Sequence, residues 1–372
     1  MAKARYIMIG GFLGAGKTTS IGKFAEFLDR RGMKVGLITN DQGAGLVDSA
    51  LARSHRFPVE EISGGCFCCR FNSLIDAARE LTSANRPDVF LAEPVGSCTD
   101  LVATVNLPLS KIYGDDYQVA PLSVVVDPVR ARRVLGLEEG KRFSDNVCYI
   151  YLKQLEEAEA IVINKIDLVS AAELAELRAA LAERFPDAAI REVSSRAGDG
   201  LGDWFEAVLD AEMNVARFMD VDYALYGEGE ALLGWLNATI RIEHPDGGEF
   251  DGNAVLLALA ARLQATMAAA GVEIAHLKMT LNPVGEPFEV AAANLVRTDH
   301  QPELSHRLVD PIDGGEILLN MRCEADPDQL DAATREALNA VLRDQFGLDF
   351  HESHREHFRP GQPVPTHRMA EA

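Results

Sequence analysis

The feature that most constrains the fold is a glycine-rich segment that lies between an apolar strand and an amphipathic helix. Residues 6–9 form a compact apolar run, residues 11–18 read GFLGAGKT, and the pattern over residues 18–31 predicts an amphipathic helix. Further apolar runs, such as residues 35–39 and 160–163, alternate with helical patterns. Strands that are apolar throughout indicate a sheet covered on both faces, so we expect a mostly parallel α/β domain.

The pattern changes in the second part of the chain. Apolar and polar residues alternate over 236–243, which predicts a strand with one wet face. A helix is expected over about 253–270, and another begins at Asp326, where Pro327 follows as a first helical residue. The sequence therefore predicts three parts: an α/β domain of the P-loop NTPase type over 1–218, a smaller, acidic α+β domain over 219–358, and a tail over 359–372.

Composition narrows the classes of function. Of 372 residues, 47% are hydrophobic, which is too many for a disordered chain. The formal net charge is −21, and it is uneven: residues 1–218 contribute −6 and residues 219–372 contribute −15. A chain this acidic repels a phosphate backbone, so we expect neither nucleic-acid binding nor attachment to an anionic membrane.

Cysteine usage indicates the compartment. Six cysteines are too few for a disulfide scaffold, and three of them fall within residues 66–69. No apolar run approaches the ~18 residues of a membrane-spanning helix. The sequence passes from Met1 through a short strand into the glycine loop, which leaves no room for a signal peptide. We expect a cytoplasmic protein.

The glycine loop matches the pattern GxxxxGK[ST] and has the required strand before it and helix after it. Its backbone N–H groups and the start of the helix would surround phosphate oxygens. Lys17 is expected to contact the β- and γ-phosphates, and the Thr18 hydroxyl to bind Mg²⁺. The candidate phosphate-binding residues are Gly11, Gly14, Ala15, Gly16, Lys17, Thr18 and Thr19.

A second motif predicts which base is bound. Asn164, Lys165 and Asp167 have the form NKxD directly after an apolar strand. A carboxylate there can accept both N1–H and N2–H₂ of guanine, a donor pair that adenine lacks. Ser194 and Ser195 follow one strand–helix period later and are expected to contact the base.

Acidic residues end two of the predicted strands. Glu93 ends the third strand and is followed by Gly96, whose N–H is expected to approach the γ-phosphate. Asp41 follows the second strand. We expect Glu93 and Asp41 to hold Mg²⁺ or its waters, and Asp41 could orient the attacking water. With Lys17, they are the candidate catalytic residues.

Cys66, Cys68 and Cys69 follow two glycines, and this spacing suits thiolate ligation of Zn²⁺ or another transition metal. A buried turn with incidental cysteines and a redox dithiol are the alternatives. Four residues lie within sequence range to complete the ligand set: Asp41, His55, Glu60 and Glu61.

The remaining cysteines and histidines carry weaker signals. Cys148 and Cys323 are expected in the core, while Cys98 is ambiguous. His351, His354 and His357 are spaced by three and would lie on roughly one face if the segment is helical. They are candidate accessory ligands, but a solvated, charged segment is the favoured interpretation.

The combination of GGFLGAGKTT, GGCFCC, EPVG and NKID over residues 5–215 resembles the CobW-like P-loop GTPases, relatives of the nickel chaperones UreG and HypB. The resemblance implies GTP or GDP at Gly14 to Thr19, guanine at Asn164, Lys165 and Asp167, and a transition metal at Cys66, Cys68 and Cys69. It also implies a client, either a metalloenzyme or a cobalamin-dependent enzyme. The histidine-rich stretch of many zinc-handling members is absent here.

These patterns together predict a GTPase that uses GTP and Mg²⁺ to control binding and delivery of a transition metal, with zinc or cobalt favoured. Because no arginine finger can be named in the sequence, slow intrinsic turnover is expected, stimulated by a client or by homodimerisation. Two alternatives stay open. One is a GTP-switched chaperone for a corrinoid enzyme in which the CxCC loop is structural, and the other is a P-loop kinase for a small molecule.

Overall fold

The computed structural model describes residues 3–40, 57–213, 219–286 and 289–369. Asp41 and His55, two candidates from the sequence, lie outside these ranges. The described residues divide into two compact units. The first holds residues 3–229 and 362–369 and the second holds 230–361, each within the described ranges.

The first unit contains a parallel sheet of eight strands, counted over the described residues. The strands are β1 (Ala4–Gly10), β2 (Val35–Asn40), β3 (Val59–Ile62), β4 (Val89–Glu93), β5 (Tyr117–Val119), β6 (Ser123–Val126), β7 (Ala160–Ile163) and β8 (Ala189–Glu192). Every residue of β1, β2, β4 and β6 is buried, as expected for strands with helices on both faces.

Helices connect these strands. They are α1 (Lys17–Asp29), α2 (Phe71–Asn85), α3 (Leu107–Ile112), α4 (Pro128–Val134), α5 (Asp145–Glu157), α6 (Ala171–Arg184) and α7 (Leu201–Asp210). A π-helical turn (Val102–Asn106) precedes α3, and a 3₁₀ turn (Ile166–Leu168) follows β7. The helix α8 (Tyr223–Leu232) crosses the division between the units.

The strand order β3-β2-β4-β1-β6-β7-β8, with β5 beside β1, determines where a site can form. In the register, Thr39 lies opposite Glu93 on β4, and Met8 lies opposite Ala92. Because all strands point the same way, the loops that follow β1, β4, β6, β7 and β8 lie at one edge of the sheet. Ligands bind at this edge in open α/β sheets.

The second unit is an antiparallel sheet of six strands in the order β12-β11-β10-β13-β9-β14. The strands are β9 (Leu233–Glu243), β10 (Ile274–Pro283), β11 (Ala291–Leu295), β12 (Glu303–His306), β13 (Gly314–Glu324) and β14 (Asp349–Phe358). Two helices, α9 (Gly252–Ala269) and α10 (Pro327–Leu338), share an apolar core with alternate strand residues such as Ile240, Leu319 and Cys323. The expected α/β domain followed by an α+β domain is therefore confirmed.

Residues 349–358 form β14, which pairs with β9, so the condition under which His351, His354 and His357 would share a helical face is not met. The division falls between residues 229 and 230, because buried Tyr226 packs with Ile150 of α5. Residues 362–369 belong to the first unit. Within the described ranges, no helix is long and apolar enough to cross a membrane.

Candidate nucleotide and metal sites

The loop between β1 and α1 wraps around a buried lysine. Lys17 is the first residue of α1, is 7% exposed, and donates from Nζ to the carbonyl of Gly11 at 2.9 Å. Gly16 adopts a left-handed conformation with φ of 101°, and a Cβ there would lie 2.4 Å from Asn164 Nδ2. Only glycine fits this position without displacing the Asn164 amide. The loop therefore surrounds the Lys17 ammonium group and the N-terminus of α1, and both groups attract phosphate.

Two side chains predicted to bind Mg²⁺ lie in contact. Thr18 lies in the first turn of α1, and its Oγ1 donates to Glu93 Oε1 at the end of β4, at 3.0 Å. Glu93 is 6% exposed and ends β4. A hydroxyl and a carboxylate are the hard oxygen ligands that Mg²⁺ prefers, so this pair fits the ion. Asp41, the third predicted member, lies outside the described residues.

Residues of the NKxD motif hold the glycine loop in place. Asn164 donates from Nδ2 to the carbonyl of Ala15 at 2.9 Å, and its Oδ1 accepts from the N–H of Ser195 at 2.9 Å. Asn164 thus joins the phosphate loop to the loop after β8.

Lys165 makes a second connection to the glycine loop. Its backbone has φ of 55°, and its Nζ donates to the carbonyl of Gly14 at 2.7 Å and to Asp127 Oδ2 at 2.9 Å. Asp127 follows β6 and also caps α4 through the N–H of Arg130. The carboxylate partner of Lys165 was not identified from the sequence, although its place directly after an apolar strand was visible there.

The residues predicted to contact the base also come together. Asp167 is exposed, and its Oδ1 accepts from Ser194 Oγ at 2.6 Å. Ser195 Oγ lies 2.8 Å from Ser20 Oγ on α1. The structure thus brings Asp167, Ser194 and Ser195 together beside the first turn of α1.

The loop that follows β4 approaches the glycine loop closely. A Cβ at Gly96 would lie 3.0 Å from the backbone nitrogen of Leu13. Gln154 of α5 donates from Nε2 to the carbonyls of Gly96 and Cys98, at 2.9 and 2.8 Å. The segment 96–98 is therefore pressed against the phosphate loop on one side and held by α5 on the other.

The three clustered cysteines form a compact donor group before α2. Their Sγ atoms lie within 4.8 Å of one another, with Cys66–Cys68 at 2.8 Å and Cys66–Cys69 at 3.2 Å. Cys66 and Cys68 are buried, while Cys69 is partly exposed. The thiols of Cys68, Cys69 and Cys98 hold the pKa of Cys66 well below its ordinary value, since they hydrogen-bond to it. The same contacts raise the pKa of Cys68 and raise that of Cys69 to about 11, so the metal-free cluster favours one thiolate, at Cys66. Three sulfur donors this close together suit a soft or borderline metal ion.

Cys98 is the residue that sequence reasoning left undecided. It is 1% exposed, and its thiol hydrogen-bonds to both Cys66 and Cys68. It does not belong to the group within 4.8 Å, and neither do Glu60 and Glu61, among the residues that the structure describes. The signal available in the sequence was its position two residues after Gly96, at the edge of the sheet where the other loops meet.

A buried polar network lies beyond Cys98. Burial raises the pKa of Glu157 to about 8, although its carboxylate accepts from Thr99 Oγ1 and from the N–H of Val102. Asp100, at 1% exposure and φ of 63°, accepts from Tyr223 Oη at 2.7 Å. The sequence offered no motif for these carboxylates, because only the fold places them together.

With the site described, comparison with known proteins identifies the class. Residues 5–191, just over half of the chain, match the family model described as "CobW/HypB/UreG, nucleotide-binding domain". The chain belongs to this family, and the resemblance stated from its motifs is confirmed.

Two curated relatives are named zinc chaperones. The chain is 29% identical to Zinc chaperone CobW of a Sinorhizobium species, over 48% of this chain and 55% of that protein. It is 30% identical to Zinc chaperone YeiR of Escherichia coli, over 43% of this chain and 46% of that protein. The chain thus spans about half the length of the curated relatives it matches.

Among solved structures, the fold is similar to that of a Zn(II)-bound YjiA GTPase from E. coli. The identity is 15% and the TM-score is 0.37, over 91% of this chain and 99% of that one.

Proposed function

We propose that the protein is a GTP-binding and GTP-hydrolysing metallochaperone, which holds zinc or cobalt at its thiol cluster and delivers the metal to a client protein. One observation carries the proposal. The Cys98 thiol hydrogen-bonds to Cys66 and Cys68, and Cys98 lies on the loop whose Gly96 is pressed against the phosphate loop. A segment that contacts both sites can make occupancy of one change the geometry of the other.

The nucleotide half of the proposal rests on the glycine loop and its partners. Lys17 and the first N–H groups of α1 place positive potential where the β- and γ-phosphates would lie. Thr18 and Glu93 would hold Mg²⁺, which when bound neutralises charge on the phosphate oxygens. Asp167 supplies the acceptor that distinguishes guanine from adenine.

The metal half rests on the donor set. Three thiols within 4.8 Å, with Cys98 hydrogen-bonded to two of them, offer up to four sulfur ligands. Tetrahedral sulfur sites are typical of Zn²⁺, and Co²⁺ accepts the same ligands. All six cysteines are free thiols, which supports a reducing compartment such as the cytoplasm.

The decisive measurement is zinc affinity in three nucleotide states. We expect the zinc Kd of the protein without nucleotide, with GDP and with a non-hydrolysable GTP analogue to differ by about tenfold or more, a coupling typical of linked sites. Cys148→Ser is the control for loss of a buried thiol outside the cluster, because Cys148 lies on α5 and donates to the Phe143 carbonyl. Its zinc affinities should match those of the wild type. Equal zinc affinity in all three states would contradict nucleotide control of the metal.

Base specificity provides an independent test of the nucleotide half. Asp167→Asn should shift preference from GTP toward XTP by about 100-fold or more, because the amide offers N–H where guanine needs an acceptor. Asp187→Asn, an exposed change of equal charge before β8, should leave the preference unchanged. Binding constants for GTP and XTP measure both variants, and an unaltered GTP preference in Asp167→Asn would contradict the guanine assignment.

Burial of two thiols supports the rival in which the cluster only stabilises the fold of a GTP-switched chaperone. Cys66 and Cys68 are 3% and 2% exposed. If that rival holds, replacing all three clustered cysteines by serine lowers the unfolding midpoint and leaves client activation intact. If the cluster carries metal, the same variant loses zinc binding and delivery.

A further inference from the structure

Residues 362–369 lie along the thiol cluster within the first unit. We propose that this segment is a strap that positions Cys69 and slows release of the bound metal, so that delivery requires the strap to move. The inference rests on the proposed function, because it concerns the same thiol site.

The strap contacts the cluster through its backbone and one hydroxyl. The N–H of Val364 donates to Cys69 Sγ at 3.3 Å. The N–H of Thr366 donates to the carbonyl of Cys68 at 2.8 Å, and Thr366 Oγ1 donates to the carbonyl of Cys69 at 3.1 Å. One of the three clustered thiols is therefore held both at its sulfur and at its backbone.

The local sequence leaves one backbone N–H that can donate to the Cys69 sulfur. Residues 363–365 read Pro-Val-Pro, and proline has no N–H, so Val364 carries the single amide donor of this stretch. The two prolines also limit the conformations of the free segment, which reduces the entropy lost when it is ordered. The Val364 side chain is 73% exposed, so the position contributes its N–H and little packing.

The far end of the strap is anchored beyond Cys98. Arg368 Nε donates to buried Asp100 Oδ2 at 2.7 Å, and the N–H of Met369 donates to the carbonyl of Ala103 at 2.9 Å. The His367 ring packs edge-on against Phe71, with centroids 4.9 Å apart. The strap thus spans from the CxCC loop to the segment that follows Cys98.

These contacts have two chemical consequences. An N–H that donates to a ligand sulfur stabilises the thiolate form and fixes its orientation, and losing such a partner typically costs 10- to 100-fold in metal affinity. Cys69 is the partly exposed thiol of the cluster, so an acceptor that exchanges ligands with the metal would approach there. A strap over this sulfur makes exchange slower.

Two substitutions at position 364 test the strap in the full-length chain. Val364→Pro removes the N–H, and Val364→Ala keeps it while truncating the same exposed side chain. We expect Val364→Pro to raise the zinc Kd about tenfold and to speed zinc loss to excess chelator by a similar factor. Val364→Ala should match the wild type. Equal behaviour of the two variants would overturn the proposal, provided that GTP affinity shows both to be folded.

A second variant works at the opposite end and does not depend on zinc. Arg368→Gln removes the ion pair with Asp100 and should speed alkylation of the Cys69 thiol in the metal-free protein several-fold. An unchanged alkylation rate overturns the strap. If the wild type binds no zinc in any nucleotide state while Arg368→Gln still speeds alkylation, the proposed metal function fails and the strap stands as a cover for Cys69.

Discussion

The two units of this chain bury their sheets in different ways, and the difference explains why the first unit holds the candidate sites. The first buries a parallel sheet between helices, so that loops after β1, β4, β6, β7 and β8 gather at one edge. The second is antiparallel, and its strands run alternately in both directions. Parallel strand order therefore brings the candidate functional loops together at one edge of the sheet, whereas the antiparallel unit provides an apolar core.

Net charge differs less between the two units than between the two parts of the sequence. Residues 1–218 carry −6 and residues 219–372 carry −15, but residues 1–229 with 362–372 carry −9 and residues 230–361 carry −12. Nucleotide binding in the first unit therefore depends on local positive groups, such as Lys17 and the N-terminus of α1, rather than on the net charge of the unit. The comparison of the two units leads to four predictions. Two of them are followed by tryptophan fluorescence, since Trp204 lies in the first unit and Trp235 in the second.

The largest effect is expected from Lys17→Ala. Removing the cation from the glycine loop should lower GTP hydrolysis at least ~1,000-fold, because charge on the transferred phosphoryl group then loses its fixed partner. Lys23→Ala, on the exposed side of the same helix, is the control and should stay within about twofold. GTP turnover measures both, and comparable rates for the two variants would show that the first unit is not the catalytic one.

Next in size is a cavity in the core of the second unit. Leu319 lies on β13 and is fully buried in the core that the sheet shares with α9 and α10, so Leu319→Ala should lower the free energy of unfolding by about 3 kcal/mol. Denaturant titrations of Trp235 fluorescence should report the loss, while Trp204 fluorescence and GTP affinity change little. A matching fall in GTP affinity would mean that nucleotide binding by the first unit depends on the stability of the second.

The pH dependence of stability should come in part from the first unit. Glu157 has an ordinary pKa of 4.5 and a pKa of about 8 in the folded protein, so the unfolded chain loses this proton at a lower pH than the folded protein does. Its contribution is fully present below pH 4.5 and is lost as pH rises toward 8. Between pH 5 and 7 the wild type should lose about 2 kcal/mol relative to Glu157→Gln, whose side chain cannot ionise.

Glu156→Gln is the control for this measurement, because Glu156 is the exposed neighbour of Glu157 on the same helix. Its unfolding free energy should follow that of the wild type across the same pH range. Parallel pH profiles for wild type and Glu157→Gln, followed by Trp204 fluorescence, would contradict the raised pKa.

The smallest effect compares one buried cysteine from each unit. Cys98→Ser should weaken zinc binding about tenfold, because it removes a thiol that contacts two of the cluster sulfurs. Cys323→Ser, in the core of the second unit, should lower stability by about 1 kcal/mol and leave zinc affinity unchanged. Isothermal titration with zinc separates the outcomes, and equal zinc affinity for both variants would remove Cys98 from the site.

Much of the first unit could be predicted because its signals are local. The glycine loop, the NKxD motif and the CxCC segment each occupy a few consecutive residues next to an apolar strand, and the structure places them at one edge of the sheet. In the second unit, the expected strand over 236–243 and helix over about 253–270 correspond to β9 and α9. The face shared by His351, His354 and His357 depended on a helix, but this segment forms β14 because it hydrogen-bonds to β9.

The sequence by itself determined the class of fold, the family and the residue types of both candidate sites, because strand burial, loop glycines and ligand spacing are properties of short segments. Only the tertiary structure decided which distant residues join them. The contact of Cys98 with the thiol cluster, the pairing of Asp127 with Lys165, and the strap from Val364 to Arg368 all join residues 30 or more positions apart. Such contacts depend on strand order and loop closure, which the spacing of residues along the chain does not specify.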